Sequence, residues 1–154
     1  MHISAISIMK YLLLLLLFTL VAVSCRSQKI DPDQYDKPII FFGSGGGFTG
    51  LSKQYCLTTD GDLYAKASIN ADWRRIQKGK AEDAQPYFTN IDSLNIQNIE
   101  IDSPGNHYRY VEYATTELKH RVTWGRNPDE IPEDMKLLYR SLNTLVKDIK
   151  QNDK

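Results

Sequence analysis

The sequence predicts an α+β fold: an antiparallel sheet of about five to six strands, with two helices packed on one face. Three observations carry this. Leu63 to Ile69 and Leu118 to Trp124 alternate apolar and polar residues, the period of two of a half-buried strand. Met135, Leu138, Tyr139, Leu142, Leu145, Val146 and Ile149 form one apolar stripe at helical spacing. The strand-like runs come in groups, one group before each of the two helical segments, instead of alternating singly with helices, which favours α+β over a wound parallel sheet.

The chain opens on a segment set apart from that fold. Lys10 gives a positive start, Tyr11 to Val23 is almost wholly apolar, and small residues follow at Ala22 and Ser24. These are the parts of a secretory signal peptide, over residues 1–24. The apolar run falls short of the roughly 20 residues that span a bilayer, so a single-pass anchor is the alternative reading. Val23-Ser24-Cys25 resembles the lipobox of bacterial lipoproteins. That resemblance implies that Cys25 becomes the lipid-bearing (palmitate-carrying) first residue of the mature chain and holds it to the membrane. Arg26, which is not aspartate, points to the outer membrane of the cell envelope by the same analogy.

Lipid on Cys25 would leave Cys56 without a partner, so the domain must stand without disulfides. Cys56 lies inside a strand-like run, where a buried small hydrophobe is expected over a reactive thiol. The whole chain has 19 basic and 19 acidic residues, and loss of Lys10 with the signal leaves one acid in excess. Such a balance offers no basic surplus to attract nucleic acid. Residues 26–37 are polar and have no period, and together with Cys25 they read as a tether over 25–37. What remains, 38–150, suits a single domain.

Ile39 to Phe42 reads as a short buried strand. Gly43 to Gly50 follows, with five glycines among its eight residues, and is expected to be a loop. Lys53 to Thr59 returns, Asp60-Gly61 makes a hairpin turn, and Leu63 to Ile69 forms the next strand. Trp73 to Ile76 is a weaker strand candidate. A helix over Glu82 to Leu94 is expected to carry Pro86 in its first turn and Tyr87, Ile91 and Leu94 on its buried face. Ile99 and Ile101 suggest a short strand, Pro104-Gly105-Asn106 a turn, and Tyr108 to Tyr113 with Leu118 to Trp124 a second hairpin. Pro132, Glu133 and Asp134 suit the start of the last helix. Leu137 falls off its stripe and is expected to be exposed.

Few residues here suggest catalysis. Gly45, Gly47 and Gly50 match G-x-G-x-x-G literally, but a strand follows where a dinucleotide fingerprint needs a helix. His107 and His120 lie on separate strands without acidic or cysteine ligands at useful spacing, so no metal and no cofactor are expected. His120 reads as a hydrogen-bonded core residue. A non-catalytic chain is therefore expected.

Ile39-Ile40-Phe41-Phe42 followed by Gly46-Gly47-Phe48-Thr49-Gly50 resembles the emfourin family, small bacterial protein inhibitors of thermolysin-like metalloproteases. The resemblance implies a loop presented to a partner, with Gly45, Gly46, Gly47, Phe48, Thr49 and Gly50 as the binding residues and an envelope or secreted protease as the partner. It covers the element order over much of 38–148, but in residues only the stretch around the loop. The alternative is an envelope structural or interaction lipoprotein without inhibitory activity, in which the loop is only a connection. Phe48 has two readings of equal standing: a plug folded back on the sheet, or an anchor for a partner.

Overall fold

The structure is a computed structural model that describes residues 31–47 and 52–152. Seven strands form one sheet: β1 (Ile39–Gly46), β2 (Lys53–Thr58), β3 (Leu63–Lys66), β4 (Arg74–Gln77), β5 (Asp102–Ser103), β6 (His107–Ala114) and β7 (Lys119–Trp124). Two helices complete it, α1 (Ala81–Ser93) and α2 (Glu133–Asn152). The strand order is β4-β3-β2-β1-β6-β7-β5. All pairs are antiparallel except β5 with β7, which is parallel. The α+β class therefore holds, while the sheet is larger than five or six strands and is mixed. The extra edge strands are only four and two residues long, too short to show a period.

The central strand is β1, flanked by β2 and β6. Its Ile39-Ile40-Phe41-Phe42 run is buried on both faces, which explains why it is apolar without alternation. Pairing fixes the faces: Ile40 lies opposite Leu57 and Tyr113, and Phe42 opposite Tyr55 and Val111. This set, with Leu63, Val122 and Trp124, forms one core with Ala84, Phe88 and Ile91 of α1 and Met135, Leu138, Leu142 and Val146 of α2. Fully burying a Leu, Ile or Phe side chain contributes roughly 1.5–3 kcal/mol, so this face supplies much of the driving force. Among the described residues no helix is long and apolar enough to cross a membrane.

The α2 stripe is as expected: Met135 and Leu142 are wholly buried, whereas Leu137 is 49% exposed. In α1 the buried positions are Ala84, Phe88 and Ile91, so the face is turned from the expected Tyr87/Ile91/Leu94 line, whose Tyr87 and Leu94 only flank the core. Pro86 is the sixth residue of the helix, beyond its first turn, where its ring removes a backbone donor. β3 ends at Lys66, and Ile69, expected on its inner face, is 72% exposed. Ile99 and Ile101 pack beside the core, and the short strand begins one residue later, at Asp102. The Asp60-Gly61 turn is present, with Gly61 at φ +89° and its N–H donated to the Thr58 carbonyl.

Part of the expected tether belongs to the folded body, which begins at Asp31. Asp31 caps a 3₁₀ turn over Pro32–Gln34, and Pro32 is buried. Asp33 accepts from the Trp73 indole at 2.9 Å and from Lys66 at 3.3 Å. The Tyr35 hydroxyl donates to Asp60 at 2.8 Å, and Lys37 pairs with the same carboxylate at 3.0 Å. Residues 31–37 are polar because they dock through hydrogen bonds and ion pairs, not because they are free.

Candidate functional site

The glycine-rich stretch is only partly a loop. Gly43 to Gly46 continue β1, paired residue by residue with β6, and with β2 as far as Ser44. Gly45 lies opposite Tyr108 and Gly43 opposite Tyr110. A Cβ on Gly45 would sit 2.6 Å from the Tyr108 hydroxyl, and one on Gly43 would meet the Lys53 carbonyl at 2.1 Å. Two tyrosine rings thus lie across strand positions that have no side chain of their own. Gly46 and Gly47 do turn the chain, with φ of +97° and +80°, a region open to glycine at no steric cost. The Gly47 N–H donates to the Asn106 carbonyl at 2.6 Å. Four of the five glycines therefore have a structural reason within the chain. Phe48, Thr49, Gly50 and Cys25, the residue expected to carry lipid, lie outside the described residues.

Around this end of β1 is a concavity of about 340 Å³, lined by Ser44, Gly45, Gly46, Lys53, His107, Tyr108, Arg109 and Tyr139. Register explains its composition. Ser44 is directly opposite Lys53 on one side and Arg109 on the other, so the three side chains rise from the helix-facing side of the sheet. Neither Lys53 nor Arg109 has an ion-pair partner among the described residues. Tyr139 reaches in from α2, donating to the Gly43 carbonyl at 3.2 Å and set edge-on to Trp124 at 5.2 Å. Burial pushes its phenol pKa up, partly opposed by Asn143, Arg109 and Ser44. The phenol stays a neutral donor.

Lys53 also borders a larger groove of about 590 Å³ between the sheet and the C-terminal part of α2. Tyr55, Ala65, Ala67, Ile76, Val146 and Ile149 give it apolar walls, with Lys66, Asp72 and Arg74 at its polar rim. Alanines on β3 and just after it leave the space that larger side chains would fill.

Cys56 is free and wholly buried, and burial pushes its thiol pKa up. A thiol held protonated is a poor nucleophile. His120 makes the expected hydrogen-bond contact, a ring nitrogen 3.2 Å from the Ile99 carbonyl, but is only half-buried and lies outside the core. Among the described residues no three His, Cys, Asp or Glu side chains are placed to hold a metal ion.

Sequence reasoning singled out the glycines and missed Ser44, Lys53, Arg109 and Tyr139. No spacing joins them, because Lys53 and Arg109 meet only through the pairing of both strands with β1. Compared with known proteins, the chain matches no family model, and no curated protein matches it.

Proposed function

We propose that this chain is an exported, lipid-anchored envelope protein that works as a non-catalytic module binding another protein at the glycine-bearing end of its sheet. The observation that supports this best is the concavity at Ser44 and Gly46, where Lys53, His107 and Arg109 gather and, among the described residues, no carboxylate lines the wall. Such a corner is poised for contact with a complementary, acidic surface. The lipoprotein part rests on Val23-Ser24-Cys25 and the apolar run before it. Palmitate should label the wild type and not Cys25→Ala; equal labelling would remove the anchor from the reading.

Site-specific photo-crosslinking tests the binding end. A crosslinker at His107 should yield a discrete envelope-protein adduct, while one at Asp60, at the opposite end of the strands, should not. Adducts from both positions, or from neither, would overturn it. By the emfourin resemblance the partner class is a thermolysin-like metalloprotease, envelope-bound or secreted. The Gly45–Gly50 stretch would then lie against it, and stoichiometric loss of protease activity on titration checks this. Protein capture without inhibition would instead favour an interaction lipoprotein.

A further inference from the structure

We propose that the corner of Ser44, Lys53, Arg109 and Tyr139 holds a carboxylate of a partner peptide, and that an adjacent apolar side chain of that peptide fills the groove beside Lys53. This deepens the binding-module reading and rests on it. A contrast between the two faces of the sheet carries it. On the face away from the helices, Lys119 and Arg121 flank Glu112, whose carboxylate pairs with both and is 3% exposed. Whereas Lys119 and Arg121 both lie on β7, on the helix side Lys53 of β2 and Arg109 of β6 flank Ser44, one from each neighbouring strand. There the chain supplies a hydroxyl and no carboxylate. The two cations stand on the strands either side of β1, and an anion between them would be attracted by both while accepting from the Ser44 hydroxyl. Arg with a carboxylate forms strong charge-assisted bonds.

The apolar half of the ligand follows from Lys53, which borders both cavities. Beyond it, Tyr55, Ala65, Val146 and Ile149 offer a trough of about 590 Å³, within the range of small-ligand sites. Of the rim charges, Lys66 is held by Asp33 at 3.3 Å, Arg74 is free of ion pairs among the described residues, and Asp72 is the one carboxylate. A flat anionic membrane matches this poorly. The cations look into a concavity, and the chain as a whole has no positive excess.

The test uses the full-length chain in neutral detergent and a fluorescent octapeptide with acidic residues and a C-terminal leucine. Two further peptides are its C-terminal amide and a version with Asp and Glu replaced by Asn and Gln. Wild type should bind the acidic peptide, with affinity falling as salt rises. Lys53→Glu and Arg109→Glu should each weaken binding at least tenfold while keeping the wild-type melting profile. Ala65→Leu, which fills the groove, should weaken it without changing the salt dependence. Asp60→Asn, at the far end of the strands, should bind as wild type. Loss on amidation assigns the peptide terminus, loss on neutralising the side chains assigns an acidic residue, and either supports the proposal. No binding at millimolar peptide, equal affinity in the charge-reversed variants, or binding only to phosphatidylglycerol vesicles would overturn it. If Arg109→Glu still gives the wild-type His107 crosslink, the carboxylate site fails and the binding-module reading stands.

Discussion

On the helix side of the sheet, Phe42 stacks on Tyr55 at 5.5 Å and is wholly buried in the core shared with α1 and α2. One residue earlier and on the other side, Phe41 tilts against Trp73 at 5.7 Å, with the Lys119 ammonium 5.8 Å from its ring centroid. Around Phe41 the neighbours are charged. Glu112 is paired with Lys119 and Arg121, Arg121 lies 4.3 Å over the Tyr110 ring, and Lys66 lies 5.0 Å over Trp73. The first face is closed by helices and held by apolar burial. The second is dressed by aromatic rings, long cationic side chains and the docked 31–37 segment. Burial of apolar area scales with what is removed from water, whereas cation–π and partly exposed ion pairs contribute about 1 kcal/mol or less each. The helix face should therefore set global stability, and the other face local stability.

Neighbouring residues on opposite faces give the sharpest comparison. Phe42→Ala should destabilise by about 3–5 kcal/mol, the range for a buried aromatic that leaves a cavity. Phe41→Ala should cost at least 1 kcal/mol less, because Trp73 and the lysine stem can relax into the gap. Equal costs in urea titrations would show that the two faces are not energetically distinct. The same comparison within α2 sets Leu142→Ala, at about 2–5 kcal/mol, against Leu137→Ala, within about 0.5 kcal/mol. A reversal would place the helix in another phase.

The same contrast explains what could be read from the sequence. The α2 stripe was legible because one helix meets one core, and both main hairpins were legible from the period of their second strands, with turn residues marking the first. The phase of α1 was less so, since Ala84 carries little hydrophobic signal and Tyr87 carries much. The docking of Pro32 and Asp33 was invisible: polarity without a period is what a tether and a hydrogen-bonded strap have in common. Gly43 and Gly45 looked like loop residues because glycine is rare inside strands. Much of their reason, the rings of Tyr110 and Tyr108, lies more than sixty residues away in sequence and next door in register. Ser44, Lys53 and Arg109 stayed hidden for the same cause.

A smaller effect is expected where the 31–37 segment meets the sheet. Asp33→Ala removes the acceptor for Trp73 and Lys66 and should cost about 1 kcal/mol, the net value of a hydrogen bond in folding. Cys56 reports on this locally. It shares the face of Phe41 and Tyr64 in the paired strands, and its raised thiol pKa reflects burial first, with Asp33 nearby. Thiol labelling of native Asp33→Ala should therefore run several-fold faster than in wild type, while Leu137→Ala labels at the wild-type rate. Unchanged labelling in Asp33→Ala would mean that the strap does not cover the thiol.

The smallest effect concerns the far end of the same strap and depends on pH. Lys37 first, and Tyr35 next, hold the Asp60 carboxyl below its ordinary value by hydrogen bonding to it. A carboxylate with a depressed folded-state pKa stabilises the fold above its unfolded pKa, about 3.9 for aspartate, and that stabilisation is lost as pH falls through the lower folded value. Lys37 is shifted the other way, upward, chiefly by the hydrogen bond to Asp60. Its contribution is present below its unfolded pKa, about 10.4, and fades above the folded one. Burial raises Tyr35 as well, which adds to the alkaline loss. The strap should thus be tightest between about pH 4 and pH 10, bounds set by the unfolded pKa values. Both Lys37 and Asp60 side chains are about half exposed, at 54% and 47%, so solvent screens the pair and global melting should barely move. The readout is local: the Tyr35 ring resonances should shift on acidification in wild type and stay flat in Asp60→Asn. If both proteins titrate alike, Asp60 is not what fastens the strap, and the docking of residues 31–37 rests on Pro32 and Asp33 alone.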